Sequence, residues 1–323
     1  MQTALFLLLF IVVLAVGSVQ HFASKRERAA TEAYPPTGQL LNVGGVTVHA
    51  EQMGTGPDVV LIHGASGNTR DFTFTFAELL AEQYRVTLFD RPGMGWTEQM
   101  APAHQHFWST EHASPRDQAR LLKAAADQLG VRDPVVVGHS LGGIVALAWA
   151  LEFDDLSAVV SVAGVANPWP GDLGWLYRVT GAAWGGALFV PVISAFAPRG
   201  YINDTVDSIF APQAAPDGYV EYLGPALTLR RGSMRANARQ VNWLRPHVVE
   251  MSEHYGSISV PVEVVHGDAD TIVPLDIHSA KLPDQIIGAK VTVLTGVGHM
   301  PHHTNPESVI AAIDRAATRA GLR

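Results

Sequence analysis

The chain of 323 residues contains no cysteine. Disulfides, thiolate nucleophiles and Cys-based zinc sites are therefore excluded. Charge is sparse, with 22 Lys and Arg against 30 Asp and Glu, a net −8 at pH 7. Phosphate recognition needs clustered Lys and Arg, and no such cluster occurs, so nucleic acid is not an expected partner. Nucleotide fingerprints are missing too: no G-x-G-x-x-G follows a strand-like run, and there is no P-loop. No cofactor is implied. Histidine is frequent, but His104, His106 and His112, and His299, His302 and His303, lack the H-E-x-x-H or carboxylate spacing of a metal site. No metal is expected.

What is present begins with an apolar run. Ala4 to Val19 is 16 residues without a charge. As a helix it extends about 24 Å, against a hydrocarbon core of about 30 Å, a difference that snorkelling flanks or local thinning absorb. Ala15-Val16-Gly17 resembles a signal-peptide cleavage site, but no Lys or Arg precedes the run, which weakens that reading. Residues 1–22 are expected to be a retained single-pass anchor; export after cleavage is the alternative. Lys25, Arg26 and Arg28 follow directly, and the positive-inside bias would keep this flank and the domain behind it cytoplasmic. Residues 23–38, with Pro35-Pro36, read as a linker.

From Gln39 to the C-terminus the pattern is that of one α/β domain. Gly44-Gly45 marks a hairpin-type turn, and Val59-Val60-Leu61-Ile62 is an apolar strand of the kind covered on both faces. Val86 to Phe89, Val135 to Val137, Ala158 to Val162, Val262 to Val265 and Val291 to Leu294 continue the series. Ser114-Pro115-x-Asp117 signals a helix start, and Gly130 its end. Strands alternating with helices imply a parallel sheet. The rhythm breaks over about 167–254, a stretch punctuated by prolines with short helical segments between, which reads as an inserted cap. Its tryptophans, Trp169, Trp175, Trp184 and Trp243, are expected in the cap's own core or in an apolar substrate pocket.

The chemistry converges on Gly138-His139-Ser140-Leu141-Gly142. An apolar strand stops at this G-x-S-x-G and a helical stretch follows at once, the context of a nucleophile elbow. A serine hydroxyl is a weak nucleophile until a base takes its proton and a carboxylate orients that base. Ser140, Asp270 and His299 stand at successive strand ends in that order, where ligands bind in open parallel sheets. Asp268 is the alternative acid. Two backbone donors are needed for an oxyanion; Leu141 N–H is one, and Ala65 N–H, in the loop after Ile62, is the candidate for the other. His63 reads as a brace for that loop.

His63-Gly64, Asp90-Arg91-Pro92-Gly93-Met94-Gly95, Gly138-His139-Ser140-Leu141-Gly142-Gly143, Gly267-x-x-Asp270-x-x-x-Pro274 and Gly298-His299 occur in order. Together they resemble the α/β-hydrolase fold superfamily, in its capped, esterase- and lipase-like serine hydrolase branch, over about residues 39–320. The resemblance implies a mostly parallel eight-stranded sheet flanked by helices, with a helical cap after the sixth strand. It also implies Ser140 as nucleophile, His299 as base, Asp270 as orienter, and Ala65 and Leu141 as the oxyanion hole. The branch resembling haloalkane dehalogenases and soluble epoxide hydrolases carries Asp at the elbow; Ser140 favours acyl transfer to water. The expected activity is cleavage of a carboxylic ester or related acyl compound. A C–C bond hydrolase or cofactor-free haloperoxidase-like enzyme would use the same triad, and a non-catalytic ligand-binding protein is the reading from another class. The expected partners are a small acyl substrate, lipid-derived if the anchor places it near lipid, and the membrane through residues 4–19.

Overall fold

The computed structural model describes residues 1–106, 108–171 and 173–323. Strands β1 (Gln39–Val43) and β2 (Val46–Met53) form a hairpin. Gly44 and Gly45 both have positive φ, 59° and 91°, the two-residue turn that suits a right-twisted hairpin. β3 (Asp58–Ile62), β4 (Arg85–Phe89), β5 (Val135–His139), β6 (Ala158–Val162), β7 (Val262–Gly267) and β8 (Lys290–Leu294) complete one eight-stranded sheet in the order β1-β2-β4-β3-β5-β6-β7-β8. β2 runs antiparallel to β4, and every neighbouring pair from β4 to β8 is parallel.

The central strands β3, β5, β6 and β7 are buried at every residue. Their side chains alternate between two cores. Val60, Ile62 and Val136 meet Leu122, Ile144 and Trp149 on one face; Val59, Leu61, Val135 and Val137 meet Phe72, Phe76 and Ile313 on the other. Helices therefore cover both faces, which is why these strands read as continuous apolar runs. The helix Pro115–Gln128 starts as its sequence signals: Ser114 and Asp117 form a reciprocal capping box, and Gly130 follows its end with φ 70°.

The N-terminal helix spans Gln2–Ala33 and is long and apolar enough to cross a membrane. It runs on through most of the segment read as a linker. Ala23 and Ala30 are buried against the domain, and Glu27 pairs with Arg231 at 2.7 Å; this packing supplies what an isolated helix of that composition lacks. Pro35-Pro36 then prevents its continuation.

Between β6 and β7 lie helices Trp175–Gly181, Ala183–Phe196, Arg199–Phe210, Tyr219–Leu223, Arg231–Asn242 and Leu244–Ser252. Three of them reach 12 to 14 residues rather than the short segments expected from the prolines. Helix 183–196 continues through Pro191, whose missing N–H costs one ladder bond while Val190, Ser194 and Ala195 stay buried around it. The tryptophan expectation fails for three of the four residues. Trp175 and Trp184 are each 68% exposed and Trp243 43%, in neither a core nor a pocket, whereas Trp169 packs against the core.

Candidate active site

β5 delivers Ser140 at the carboxyl edge of the sheet. Its backbone is strained, at φ 53° and ψ −119°, a region that costs a non-glycine residue about 1–3 kcal/mol. Three hydrogen bonds hold it there: Ser140 N–H donates to Val162 O at 3.0 Å, and Ser140 O accepts from Gly143 and Val165 N–H at 2.9 and 3.0 Å. The elbow's glycines are required by close approach. A Cβ on Gly138 would lie 2.0 Å from Gly142 O, and one on Gly142 would lie 2.1 Å from Ile62 O. Ser140 is also the N-cap residue of helix Leu141–Glu152, yet its hydroxyl makes no capping bond. Its Oγ is left free at the positive end of the helix dipole.

The loop after β7 supplies Asp270 and the loop after β8 supplies His299. His299 Nδ1 donates to Asp270 Oδ2 at 2.7 Å. The other carboxylate oxygen accepts from Ile272 and Val273 N–H at 2.8 and 2.9 Å, so the Ile272-Val273-Pro274 segment pins the acid. Asp270 is buried, and burial would push its pKa up. The His266 and His299 donors and the Val273 N–H outweigh that and hold it well below the usual carboxylate value. Asp268 is exposed and turns away, accepting from Gly296 N–H at 2.6 Å. His299 reaches the elbow through its backbone: His139 Nε2 donates to His299 O at 2.9 Å. Among the described residues Ser140 Oγ makes no hydrogen bond to His299, a contact that commonly tightens only with substrate bound.

The loop carrying Ala65 is held from several sides. Arg91 is fully buried; its Nε donates to His63 O at 3.0 Å and its Nη2 to Gly64 O at 2.9 Å. Its Nη1 meets Gln118 and Gln240 side-chain oxygens at 3.0 and 2.8 Å. Burial lowers the guanidinium pKa to about 9, which leaves it cationic at neutral pH. His63 braces the loop, as its sequence position suggests: Nδ1 donates to Gly64 O at 2.8 Å and Nε2 accepts from Arg91 N–H at 3.0 Å. Burial pushes its pKa down to about 4, so it is neutral. From the cap, Asn237 accepts from Ser66 N–H at 2.7 Å and donates to Ser66 Oγ at 2.9 Å. These clasps fix the direction of the Ala65 and Leu141 N–H groups, neither of which is paired with a backbone carbonyl among the described residues.

A second buried polar cluster lies behind the elbow. Asp71 Oδ1 accepts from Tyr219 OH at 2.7 Å, His303 Nε2 at 2.9 Å and His302 Nε2 at 3.3 Å. These donors hold its carboxylate well below the ordinary range. Asp71 Oδ2 is 3.9 Å from His139 Nδ1. Tyr219 belongs to the cap, so this carboxylate ties cap to sheet. The three histidines of the 299–303 segment thus divide between two acids: His299 goes to Asp270, His302 and His303 to Asp71. Elsewhere His104 and His106 offer their carbonyls to Arg239, and His112 pairs with His247 at 2.9 Å.

Sequence reasoning missed Asp71, Arg91, Asn237 and the supporting role of His139. Arg91 and His139 sit inside quoted motifs, but their partners come from distant chain segments. Asn237 lies on a cap helix whose docking no local pattern encodes. The access route is also absent from the sequence: Ser140 is only 8% exposed. Cavities of about 910 and 270 Å³ lie beside the N-terminal helix, and neither includes Ser140, Asp270 or His299 among its lining residues.

A model described as the alpha/beta hydrolase family matches residues 59–312. The chain is similar to a 2-hydroxy-6-oxononadienedioate/2-hydroxy-6-oxononatrienedioate hydrolase from Klebsiella pneumoniae, 25% identical over 299 residues covering 84% of this chain and 92% of that protein. It is similar to a pimeloyl-[acyl-carrier protein] methyl ester esterase from Nitrosomonas europaea, 24% identical over 294 residues covering 83% and 98%. A solved alpha/beta hydrolase fold protein from Burkholderia ambifaria superposes with a TM-score of 0.70 at 24% identity, over 85% of this chain and 96% of that one.

Proposed function

This chain belongs to the alpha/beta hydrolase family, and from that premise we propose that it is a serine hydrolase that cleaves carboxylic esters. The observation that carries the reading is the strained Ser140 at the elbow, with a buried Asp270–His299 pair attached to the same elbow through His139. Ser140 Oγ attacks the acyl carbon as His299 Nε2 takes its proton. Asp270 fixes the tautomer that leaves Nε2 free to do so. The Ala65 and Leu141 N–H groups receive the developing oxyanion. The alcohol leaves with the proton from His299, and a water activated by the same imidazole releases the acid. The Nitrosomonas relative, an ester hydrolase by name, supports the ester class. A second reading, hydrolysis of a C–C bond by the same residues, draws on the Klebsiella relative. An ester and a β-diketone assayed side by side separate the two.

The test of the nucleophile is labelling with a fluorophosphonate probe. Wild type is expected to label, and Ser140→Ala to lose labelling completely at unchanged thermal midpoint. Equal labelling of both would remove Ser140 from the role.

We further propose that the N-terminal helix is a retained anchor with the hydrolase domain in the cytoplasm. Lys25, Arg26 and Arg28 on one flank only support that orientation. A tag after Arg323 is then expected to resist protease added to intact cells and to be cut once they are opened. Cutting in intact cells would reverse the topology.

A further inference from the structure

Helix 183–196 (AWGGALFVPVISAF) carries no charged side chain. Its inner face, with Gly186, Val190, Ser194 and Ala195, is buried. Its outer face is apolar instead of polar. Trp184, Leu188, Val192 and Phe196 recur every fourth residue and, with Phe189, are 68, 64, 44, 52 and 52% exposed. That spacing puts them on one stripe. Water-facing stripes of this kind are uncommon on soluble domains, and a large contiguous one marks an interaction surface.

The rest of the surface points to what covers it. The stripe is continuous with the N-terminal helix: Phe196 meets Phe22 with ring centroids 5.8 Å apart, and Arg26 Nη2 donates to Ala197 O at 2.9 Å. Phe22 is itself 46% exposed and follows the apolar segment Leu5–Val16, whose large side chains are all about half exposed or more. The helix is thus clamped at the level where the N-terminal apolar segment ends. Trp175, 68% exposed, and Tyr201, 54% exposed, lie just before and after helix 183–196, the residue types that favour a headgroup boundary. Lys25 and Arg28 follow Phe22 on the N-terminal helix and Arg199 follows helix 183–196; all three are exposed, cations suited to an anionic leaflet. A second copy of the chain would not call for this coupling of a helix fit to cross a bilayer, aromatic flanks and bases.

We propose that the outer face of helix 183–196 docks into the headgroup–acyl boundary of the membrane, and that the enzyme takes its acyl substrate from that bilayer. The docking rests on the surface alone; the choice of a membrane lipid as substrate rests on the ester-hydrolase reading above.

The cysteine-free chain makes the test direct. In the full chain, Leu188→Cys is labelled with an environment-sensitive fluorophore and reconstituted into phosphatidylcholine–phosphatidylglycerol vesicles containing a nitroxide lipid. Ile287→Cys, at a site 89% exposed in the loop entering β8, is the control at the opposite end of the sheet. Quenching at position 188 is expected to exceed that at 287 by about threefold or more, since an interfacial helix buries its apolar face about 5–10 Å. Equal quenching overturns the proposal. So does an emission shift that appears only as protein concentration rises in lipid-free detergent, which would identify a second copy as the occupant. For substrate access, the double variant Leu188→Ser, Phe189→Ser is expected to lose about tenfold in kcat/KM on a vesicle-embedded ester and nothing on a short soluble ester. Equal losses on both esters would overturn the access claim. If wild type hydrolyses neither ester, the ester-hydrolase reading fails, and docking is judged by the quenching alone.

Discussion

Asp270→Asn is expected to lower kcat on a short soluble ester by about 10³–10⁴-fold without unfolding the protein. The amide is nearly isosteric, and its oxygen still accepts from Ile272 and Val273 N–H, the bonds of 2.8 and 2.9 Å that pin the loop. Its nitrogen replaces Oδ2, the atom 2.7 Å from His299 Nδ1. An NH₂ only donates, so His299 must present a lone pair at Nδ1 and carry its proton on Nε2. That tautomer has no place for the Ser140 proton. The parallel change Asp268→Asn keeps an acceptor for the Gly296 N–H now bonded at 2.6 Å and is expected to leave kcat within about twofold, as surface changes usually do. Steady-state kinetics and thermal midpoints of both variants decide the matter. Equal losses at 268 and 270, or less than about tenfold at 270, would mean that His299 is oriented by something else.

The fold was legible because its signals are local. Six apolar runs alternate with helical stretches, the Ser114–Asp117 capping box starts its helix, and the glycines of the elbow mark a turn that no Cβ could occupy. Those same motifs name Ser140, Asp270 and His299, and the loops bring Asp270 to His299 because each follows a strand of one sheet. The rest depends on distance in the chain. The clasp from Asn237 to Ser66 joins residues 171 apart, and Tyr219 to Asp71 joins residues 148 apart, so no window of sequence contains either pair. The cap helices were underestimated for a related reason: proline reads as a break, whereas helix 183–196 absorbs Pro191 through its packing. The exposure of Trp175, Trp184 and Trp243 was illegible for another. Aromatic residues look alike in a sequence whether they face a core, a pocket or a membrane.

Acidification is expected to unfold the domain well above the range where carboxylates titrate, because four histidines are buried in the neutral form. His63, His278 and His302 have pKa values pushed down by burial to about 4, and His139 is pushed well below its ordinary value by burial and by the neighbouring His302 and His299. Hydrogen bonding reinforces this. His63 Nε2 accepts from Arg91 N–H and His278 Nδ1 accepts from Asn167 N–H at 3.1 Å, so a proton on either atom would face another N–H. In the unfolded chain each titrates at about 6.5. A depressed histidine therefore contributes stability that is fully present above about pH 6.5 and is lost as pH falls toward the folded value of about 4, because only the unfolded state takes up the proton. Each such proton is worth about 1.4 kcal/mol per pH unit, so four give a slope of about 5.5 kcal/mol per unit and a loss of about 8 kcal/mol by pH 5. That is comparable with the whole stability of an ordinary domain, about 5–15 kcal/mol. Asp71, Asp90 and Asp270 are held below their ordinary values, so their contribution is present above about pH 3.9 and fades only below it. Denaturant unfolding between pH 7 and 5 reads the slope directly. His278→Gln, which keeps an acceptor near Asn167 but cannot take up the proton, is expected to remove about a quarter of it. A stability that stays flat from pH 7 to 5 would mean that these four imidazoles are charged, or exchange with water, in the folded protein.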